Sequence, residues 1–158
     1  MSDSHLGSTK VAQIAVVVRN IEESAQRYAA VLGLPVPDVI VTRPGSEVHQ
    51  TYRGAPSDAQ AKLAFFDLGQ VQLELIEPIG GPSTWQETLD RKGEGVHHIA
   101  FWVEGMQRAV DFLKTQGIPM IQRGDMGEHG QYAYFDAEAQ FGLTLELLEK
   151  AREGRAVG

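Results

Sequence analysis

The chain has 158 residues, of which 42% are hydrophobic and none is cysteine, and its formal net charge is −7 at pH 7. This length allows one domain with a hydrophobic core, and the lack of cysteine excludes disulfides and thiolate metal ligands. The negative charge without a basic stripe argues against nucleic acid as a partner, and no apolar run approaches the ~18 residues needed to span a membrane.

Both ends of the chain are polar. Residues 1–9 include Gly and Ser, and we expect them to form a disordered leader rather than a signal peptide. We expect residues 151–158 to form a frayed tail. With neither a signal peptide nor cysteine, the sequence is typical of a cytoplasmic enzyme.

Residues 10–77 are predicted to form a first β-α-β-β-β module. Residues 12–18 alternate small and β-branched apolar side chains, which favours a buried strand. Asn20 is a suitable N-cap for the helix that follows, and Gly33 supplies its left-handed stop. Further strands are predicted at 36–42 with a continuation at 49–53, at 61–68 and at 71–77, with a loop at 54–60.

A linker and a second module follow. The linker, residues 78–95, contains a Gly-Gly-Pro-Ser turn and a short amphipathic helix from Thr84 to about Lys92. Residues 96–150 repeat the order of the first module. Their elements are predicted as a strand at 97–103, a helix at 106–116, and strands from 120 onward, at 131–136 and at 144–149.

The two modules repeat sequence as well as order. The run QLELIE at 72–77 returns as TLELLE at 144–149, and AQIAVVV at 12–18 returns as HHIAFWV at 97–103. Neither half can bury its sheet alone, so the two halves are predicted to pair. The expected fold is α+β: two βαβββ modules form a curved, mixed-sheet half-barrel with the helices outside and a concave inner face.

Strand periodicity identifies the side chains that face this concave side. Alternate residues of a strand point to opposite faces, and the bulky apolar sets must pack beneath the helices. The opposite face then carries four polar side chains at repeat-equivalent positions, which we call the inward quartet: Gln13, Glu74, His98 and Glu146. The same rule places His97 on the other face, in a structural or supporting role.

Residues 10–150 resemble the vicinal-oxygen-chelate superfamily, which has the glyoxalase- and dioxygenase-like fold of paired βαβββ modules. Within this range, the segments 74–78, 93–101 and 127–130 are similar to the signatures of methylmalonyl-CoA epimerases. Two positions depart from that pattern. The epimerases carry His where this chain has Gln13, and a proposed proton-carrying Glu aligns best with Gln50.

The resemblance also bears on the ligand set. The inward quartet is the ligand combination of one class of glyoxalase I, although Pro78 stands where that class has Asn. One imidazole, two carboxylates and an amide oxygen suit a divalent Co, Ni, Zn, Mn or Mg ion. Such an ion stabilises a developing enolate, and a nearby carboxylate transfers the proton. By analogy with related enzymes, we expect Glu146 to be that base as well as a ligand.

The leading hypothesis is a metal-dependent isomerase or lyase, closest to methylmalonyl-CoA epimerase, that acts on a small acyl or α-keto substrate. A glyoxalase-I-like lyase and a metal-free binding or resistance protein of the same fold are the alternatives. An extradiol dioxygenase is disfavoured, since its iron triad requires a second His where Gln13 stands. The resemblance also implies a homodimer.

Three further residues are predicted to bind substrate: Gln50, Trp102 and His129. The segment 43–60 has no clear counterpart in the second module. We therefore expect it to help select the substrate.

Overall fold

A computed structural model describes residues 5–151, and it has the predicted α+β architecture. Residues 1–4 of the expected leader and 152–158 of the expected tail lie outside the described residues. The strands are β1 (Val11–Val17), β2 (Ile40–Val41), β3 (Thr51–Tyr52), β4 (Ala55–Pro56), β5 (Gln60–Asp67), β6 (Gln72–Ile79), β7 (Gly95–Trp102), β8 (Met120–Asp125), β9 (Gln131–Phe135) and β10 (Thr144–Glu149). The α-helices are α1 (Ile21–Leu32), α2 (Thr84–Lys92), α3 (Met106–Thr115) and α4 (Glu138–Phe141).

A single 10-stranded sheet has the order β2-β5-β6-β1-β7-β10-β9-β8-β3-β4. The antiparallel pair β1 and β7 occupies its centre, and each of these strands has a parallel neighbour, β6 for β1 and β10 for β7. The register is the same in both halves. Ala15 lies opposite Glu74, and Ala100 lies opposite Glu146. The duplicated half-barrel predicted from the sequence is therefore confirmed.

Two helices cover the outer face of the sheet. α1 begins at Asn20, whose side chain accepts a hydrogen bond from the Glu23 amide, and it ends at Gly33 with φ 69°. It buries Ile21 against one apolar cluster of the first module, while α3 covers the equivalent cluster of the second. Leu6 packs on the α3 cluster, so this residue of the segment expected to be disordered contacts the core. None of the described helices is long and apolar enough to cross a membrane.

The linker helix α2 has the predicted bounds but a different position from α1 and α3. Its buried Trp85 and Leu89 share an apolar cluster with Ala15 and Val17 of β1. These two residues of β1 face the concave side of the sheet. Three alanines in this cluster, Ala15, Ala59 and Ala61, leave room for the helix. α2 therefore closes one end of the concave side instead of covering the outside.

The segment 36–60 differs most from its prediction. Only Ile40–Val41 of the expected strand at 36–42 pairs with β5, because Pro35 and Pro37 have no amide hydrogen for a ladder. The expected continuation at 49–53 reduces to β3, which pairs with β8 of the second module on one side. The expected loop at 54–60 contains β4, the hairpin partner of β3. This segment thus joins the two modules at the far edge of the sheet.

A tight turn in this segment depends on Gly45. A Cβ atom there would lie 1.9 Å from the Ser57 carbonyl oxygen and 2.8 Å from the Gln50 Nε2. We expect Gly45→Ala to lower the free energy of unfolding by about 2–4 kcal/mol, because the backbone of Ser57 has to move. Urea denaturation measures this loss. Gly95→Ala is the control, since a Cβ there meets nothing within 4 Å; equal losses in both variants would contradict the prediction.

Candidate active site

The four side chains of the inward quartet meet on the concave face. The His98 Nε2 lies 3.0 Å from the Gln13 Oε1 and 3.2 Å from a Glu146 oxygen. The Glu74 Oε1 lies 3.5 Å from the same nitrogen. All four side chains are buried, and they come from the four central strands β1, β6, β7 and β10. The structure therefore brings together the residues that strand periodicity selected.

Small residues between the polar ones make this convergence possible. Ala15 faces Glu74 on one side and His98 on the other, and Ala100 faces Gln13 and Glu146 in the same way. Both alanines are fully buried. A larger side chain at either position would fill the space into which the carboxylates project.

Burial controls the protonation of the site. It raises the pKa of Glu74 well above its usual value, and the nearby Glu146 charge raises it further. Burial also raises the pKa of Glu146 to about 8, against a hydrogen bond from Tyr134 that lowers it. The pKa of His98 lies well below its usual value, first through burial and then through its neighbour His97. Burial thus disfavours charge on all three of these side chains.

The donor set fits a divalent cation. The Glu74 Oε1 is buried and has no hydrogen-bond partner among residues 5–151, so one strong acceptor is left unsatisfied. A neutral imidazole, two carboxylates and an amide oxygen are ligands that such cations accept. Within the described chain, no three His, Asp or Glu side chains already form a metal-binding cluster, so the quartet would adjust its side chains around an ion.

Sequence reasoning missed one supporting residue, Gln72. Its Oε1 accepts a hydrogen bond of 2.8 Å from the Gln13 Nε2, which turns the Gln13 carbonyl oxygen towards His98. Gln72 precedes Glu74 by two positions on β6 and therefore shares its face. The rule that selected Glu74 could have found it.

Strand alternation predicted that His97 lies on the opposite face, but the structure places it on the concave side. The register between β1 and β7 shifts at this point: Ala15 faces His98 while Val16 faces Val96, and His97 is the extra residue of a β-bulge. The bulge turns the ring inward, where its Nδ1 lies 2.7 Å from the Nδ1 of His98. The expected structural or supporting role remains compatible with this position.

A cavity of about 940 Å³ opens in front of the quartet. It is lined by Gln13, Glu74 and Glu146 at the sheet and by apolar side chains such as Leu63, Phe65 and Leu148. The three residues predicted to bind substrate also line it: Gln50, Trp102 and His129. Their positions agree with the prediction, and their roles stay predictions.

Gln50 is buried, and both its side-chain nitrogen and its side-chain oxygen form hydrogen bonds within the protein. Its Nε2 donates to the Ala59 carbonyl at 3.0 Å, and its Oε1 accepts from the Tyr132 hydroxyl at 2.8 Å. That hydroxyl in turn accepts from the Gln122 Nε2 at 3.1 Å. The amide thus fastens the segment 43–60 to the second module, and it has no carboxylate with which to carry a proton.

The sequence of this chain is similar to those of known proteins. Residues 12–135 match the profile of the Glyoxalase/Bleomycin resistance protein/Dioxygenase superfamily. An uncharacterised Bacillus subtilis protein is 30% identical over 86% of this chain and 89% of its own length. An ethylmalonyl-CoA/methylmalonyl-CoA epimerase of Cereibacter sphaeroides is 28% identical, over 87% of this chain and 94% of that protein.

A solved structure is also similar. It is that of a Streptomyces coelicolor methylmalonyl-CoA epimerase variant in complex with 2-nitronate-propionyl-CoA, with a TM-score of 0.61 and 23% identity, covering 91% of this chain and 99% of that one. At this identity the likeness shows a shared fold. Fold and site define a protein of paired βαβββ modules with a polar centre on the concave face. The chain belongs to the Glyoxalase/Bleomycin resistance protein/Dioxygenase superfamily, and the resemblance to the vicinal-oxygen-chelate proteins is confirmed.

Proposed function

We propose that this protein is a metal-dependent isomerase or lyase that moves a proton next to the carbonyl group of an acyl substrate. The observation that carries the proposal is the buried inward quartet, with two carboxylates beside His98 at the wall of a large cavity. The similarity to ethylmalonyl-CoA/methylmalonyl-CoA epimerase makes CoA esters of 2-substituted acids the first substrates to test.

The quartet would hold the cation, which is Co, Ni, Zn, Mn or Mg by the chemistry of its donors. When bound, the cation would stabilise negative charge on the substrate's carbonyl oxygen. Glu146 would take the proton from the neighbouring carbon, because it faces the cavity and a bound cation would keep its carboxylate ionised. The apolar walls would keep bulk water from that proton.

One observation favours a second reaction, a glyoxalase-I-like rearrangement. Epimerisation returns the proton to the opposite face of the same carbon, which is simplest with two acid–base groups. Gln50 cannot be the second group, because an amide does not take up a proton at neutral pH. A single Glu146 that moves a proton between adjacent carbons needs no partner. Glu74 is the remaining carboxylate that could serve an epimerase.

The test begins with protein purified without chelator, analysed for bound metal and then loaded with Co²⁺, Ni²⁺ or Zn²⁺. We expect metal-dependent uptake of deuterium from heavy water at the 2-position of methylmalonyl-CoA or ethylmalonyl-CoA, followed by mass spectrometry and NMR. Turnover of a hemithioacetal instead would favour the second reaction. Protein that neither contains nor gains metal, and that exchanges no proton, would overturn the proposal in favour of a metal-free binding protein.

Two further expectations accompany this proposal. We expect a homodimer and a cytoplasmic location, as the sequence predicts. Sedimentation measures the first, and cell fractionation measures the second.

A further inference from the structure

A chain of buried polar contacts runs from the candidate active site into the linker helix. Behind His98, the Nδ1 of His97 lies 2.7 Å from the His98 Nδ1. The Nε2 of His97 lies 3.1 Å from the Thr84 hydroxyl at the start of α2. We propose that His97 and Thr84 are positioning residues that determine which nitrogen of His98 carries its proton, and thereby prepare the Nε2 to bind a cation. This inference rests on the proposed function.

The two imidazole rings are held in place. His97 is 1% exposed and His98 is 0% exposed. Their rings meet edge to face, with centroids 5.0 Å apart, and the Tyr134 ring packs on both at 5.1 Å. Each ring has a polar contact at both of its nitrogens. A neutral imidazole carries one proton, on one of these two nitrogens.

Without a cation, the shortest contacts favour one placement of these protons. The His98 Nε2 faces the Gln13 Oε1, which only accepts hydrogen bonds, so this nitrogen carries the proton of His98. Its Nδ1 must then accept from the His97 Nδ1. The His97 Nε2 is left without hydrogen and accepts from the Thr84 hydroxyl.

A cation reverses this order. If the Nε2 of His98 held a cation it would offer its lone pair, so the proton of His98 would lie on Nδ1 and would be donated to the His97 Nδ1. His97 then carries its proton on Nε2 and donates it to the Thr84 hydroxyl oxygen, which can accept as well as donate. Both arrangements hold one proton per ring, so neither ring becomes charged. Histidine and threonine can serve both arrangements, and the bulge in β7 places the second imidazole where it contacts both His98 and Thr84.

The first experiment uses the unaltered protein. Nitrogen-15 NMR of the histidine rings is expected to show protonated His98 Nε2 and His97 Nδ1 in chelator-treated protein. On addition of Zn²⁺, both rings are expected to move the proton to the other nitrogen while remaining neutral. A His97 that is only a packing residue would keep its tautomer when Zn²⁺ binds, and that result would overturn the inference.

The second experiment measures affinity for Ni²⁺ or Zn²⁺ by calorimetry. We expect His97→Phe, which keeps the ring but loses both nitrogens, to weaken binding about 10–100-fold. His97→Gln is expected to recover part of the loss, because an amide can accept from the His98 Nδ1. Thr84→Val is expected to weaken binding by a smaller factor, with Thr88→Val, one turn further along α2, as the matched control.

The outcomes separate the two proposals. If the unaltered protein binds no divalent ion, the proposed function and this inference fall together. If it binds the ion while His97→Phe and Thr84→Val leave affinity unchanged, only the inference falls. Should His97→Phe fail to fold, Thr84→Val and the NMR experiment still decide.

Discussion

Glu146→Gln is expected to reduce the kcat of the metal-loaded protein by about 10²–10⁴-fold while its metal content stays close to that of the wild type. Glutamine keeps an oxygen donor of similar reach, so it can still contribute to cation binding, but it cannot accept a proton. The position is buried at the wall of the cavity, where the substrate would bind. Deuterium exchange into the acyl substrate measures the rate, and elemental analysis measures the metal.

The repeat supplies a matched control for this variant. Glu74 occupies the equivalent position in the first module, opposite Ala15 as Glu146 is opposite Ala100. If Glu74 is a ligand only, Glu74→Gln should retain clearly more turnover than Glu146→Gln at saturating metal. Undiminished turnover in Glu146→Gln would contradict its assignment as the base. Equal losses in the two variants, with metal retained in both, would indicate that an epimerase uses both carboxylates.

The sequence predicted the centre of the fold and the candidate site for one reason. The central strands follow a regular two-residue alternation, and the duplication presents each strand twice. Where the alternation is unbroken, the face of a side chain follows from its position. Gln13, Glu74, His98 and Glu146 were therefore selected correctly as neighbours before any distance was known, while their function as ligands stays a prediction.

The remaining features depend on information that local periodicity does not contain. His97 departs from the alternation because a one-residue bulge in β7 inserts an extra position, and a bulge leaves no fixed sequence signal. β3 pairs with β8 some seventy residues away, and a two-residue strand has too few positions to show a period. The contact between Thr84 and His97 exists only because α2 packs on the concave face.

The stability of the metal-free protein is expected to fall as the pH rises from about 6.5 to about 8. The folded-state pKa of Glu146 is about 8 and that of Glu74 is also raised, whereas both are near 4.5 in the unfolded chain. Over this range the folded state binds more protons than the unfolded state, so each increase in pH favours unfolding. Glu146 alone contributes a loss on the order of 2 kcal/mol across this range.

The lower limit of this range is set by the two histidines. Burial depresses the pKa of His97 and His98, so below their unfolded value of 6.5 the unfolded chain gains protons that the folded state does not. This effect favours unfolding as the pH falls, and it opposes the effect of the carboxyls between about pH 4.5 and 6.5. The carboxyl effect therefore dominates above pH 6.5, and it is isolated only above about pH 7.5, where the unfolded histidines have lost most of their protons. Urea denaturation of chelator-treated protein at pH 6.5, 7.2 and 8.0 measures it.

Glu146→Gln and added cation should each reduce this pH dependence in a different way. The amide does not ionise, so the variant is expected to lose less stability than the wild type between pH 6.5 and 8.

A bound cation favours the ionised carboxylates, and at a hundredfold excess over its Kd it adds about 2.7 kcal/mol to the free energy of unfolding. Its stabilisation should grow with pH, because fewer protons must leave the site. A metal-free protein whose stability is flat or rises above pH 6.5 would show that the two carboxyls are not buried together, and the cation site inferred from them would lose its basis.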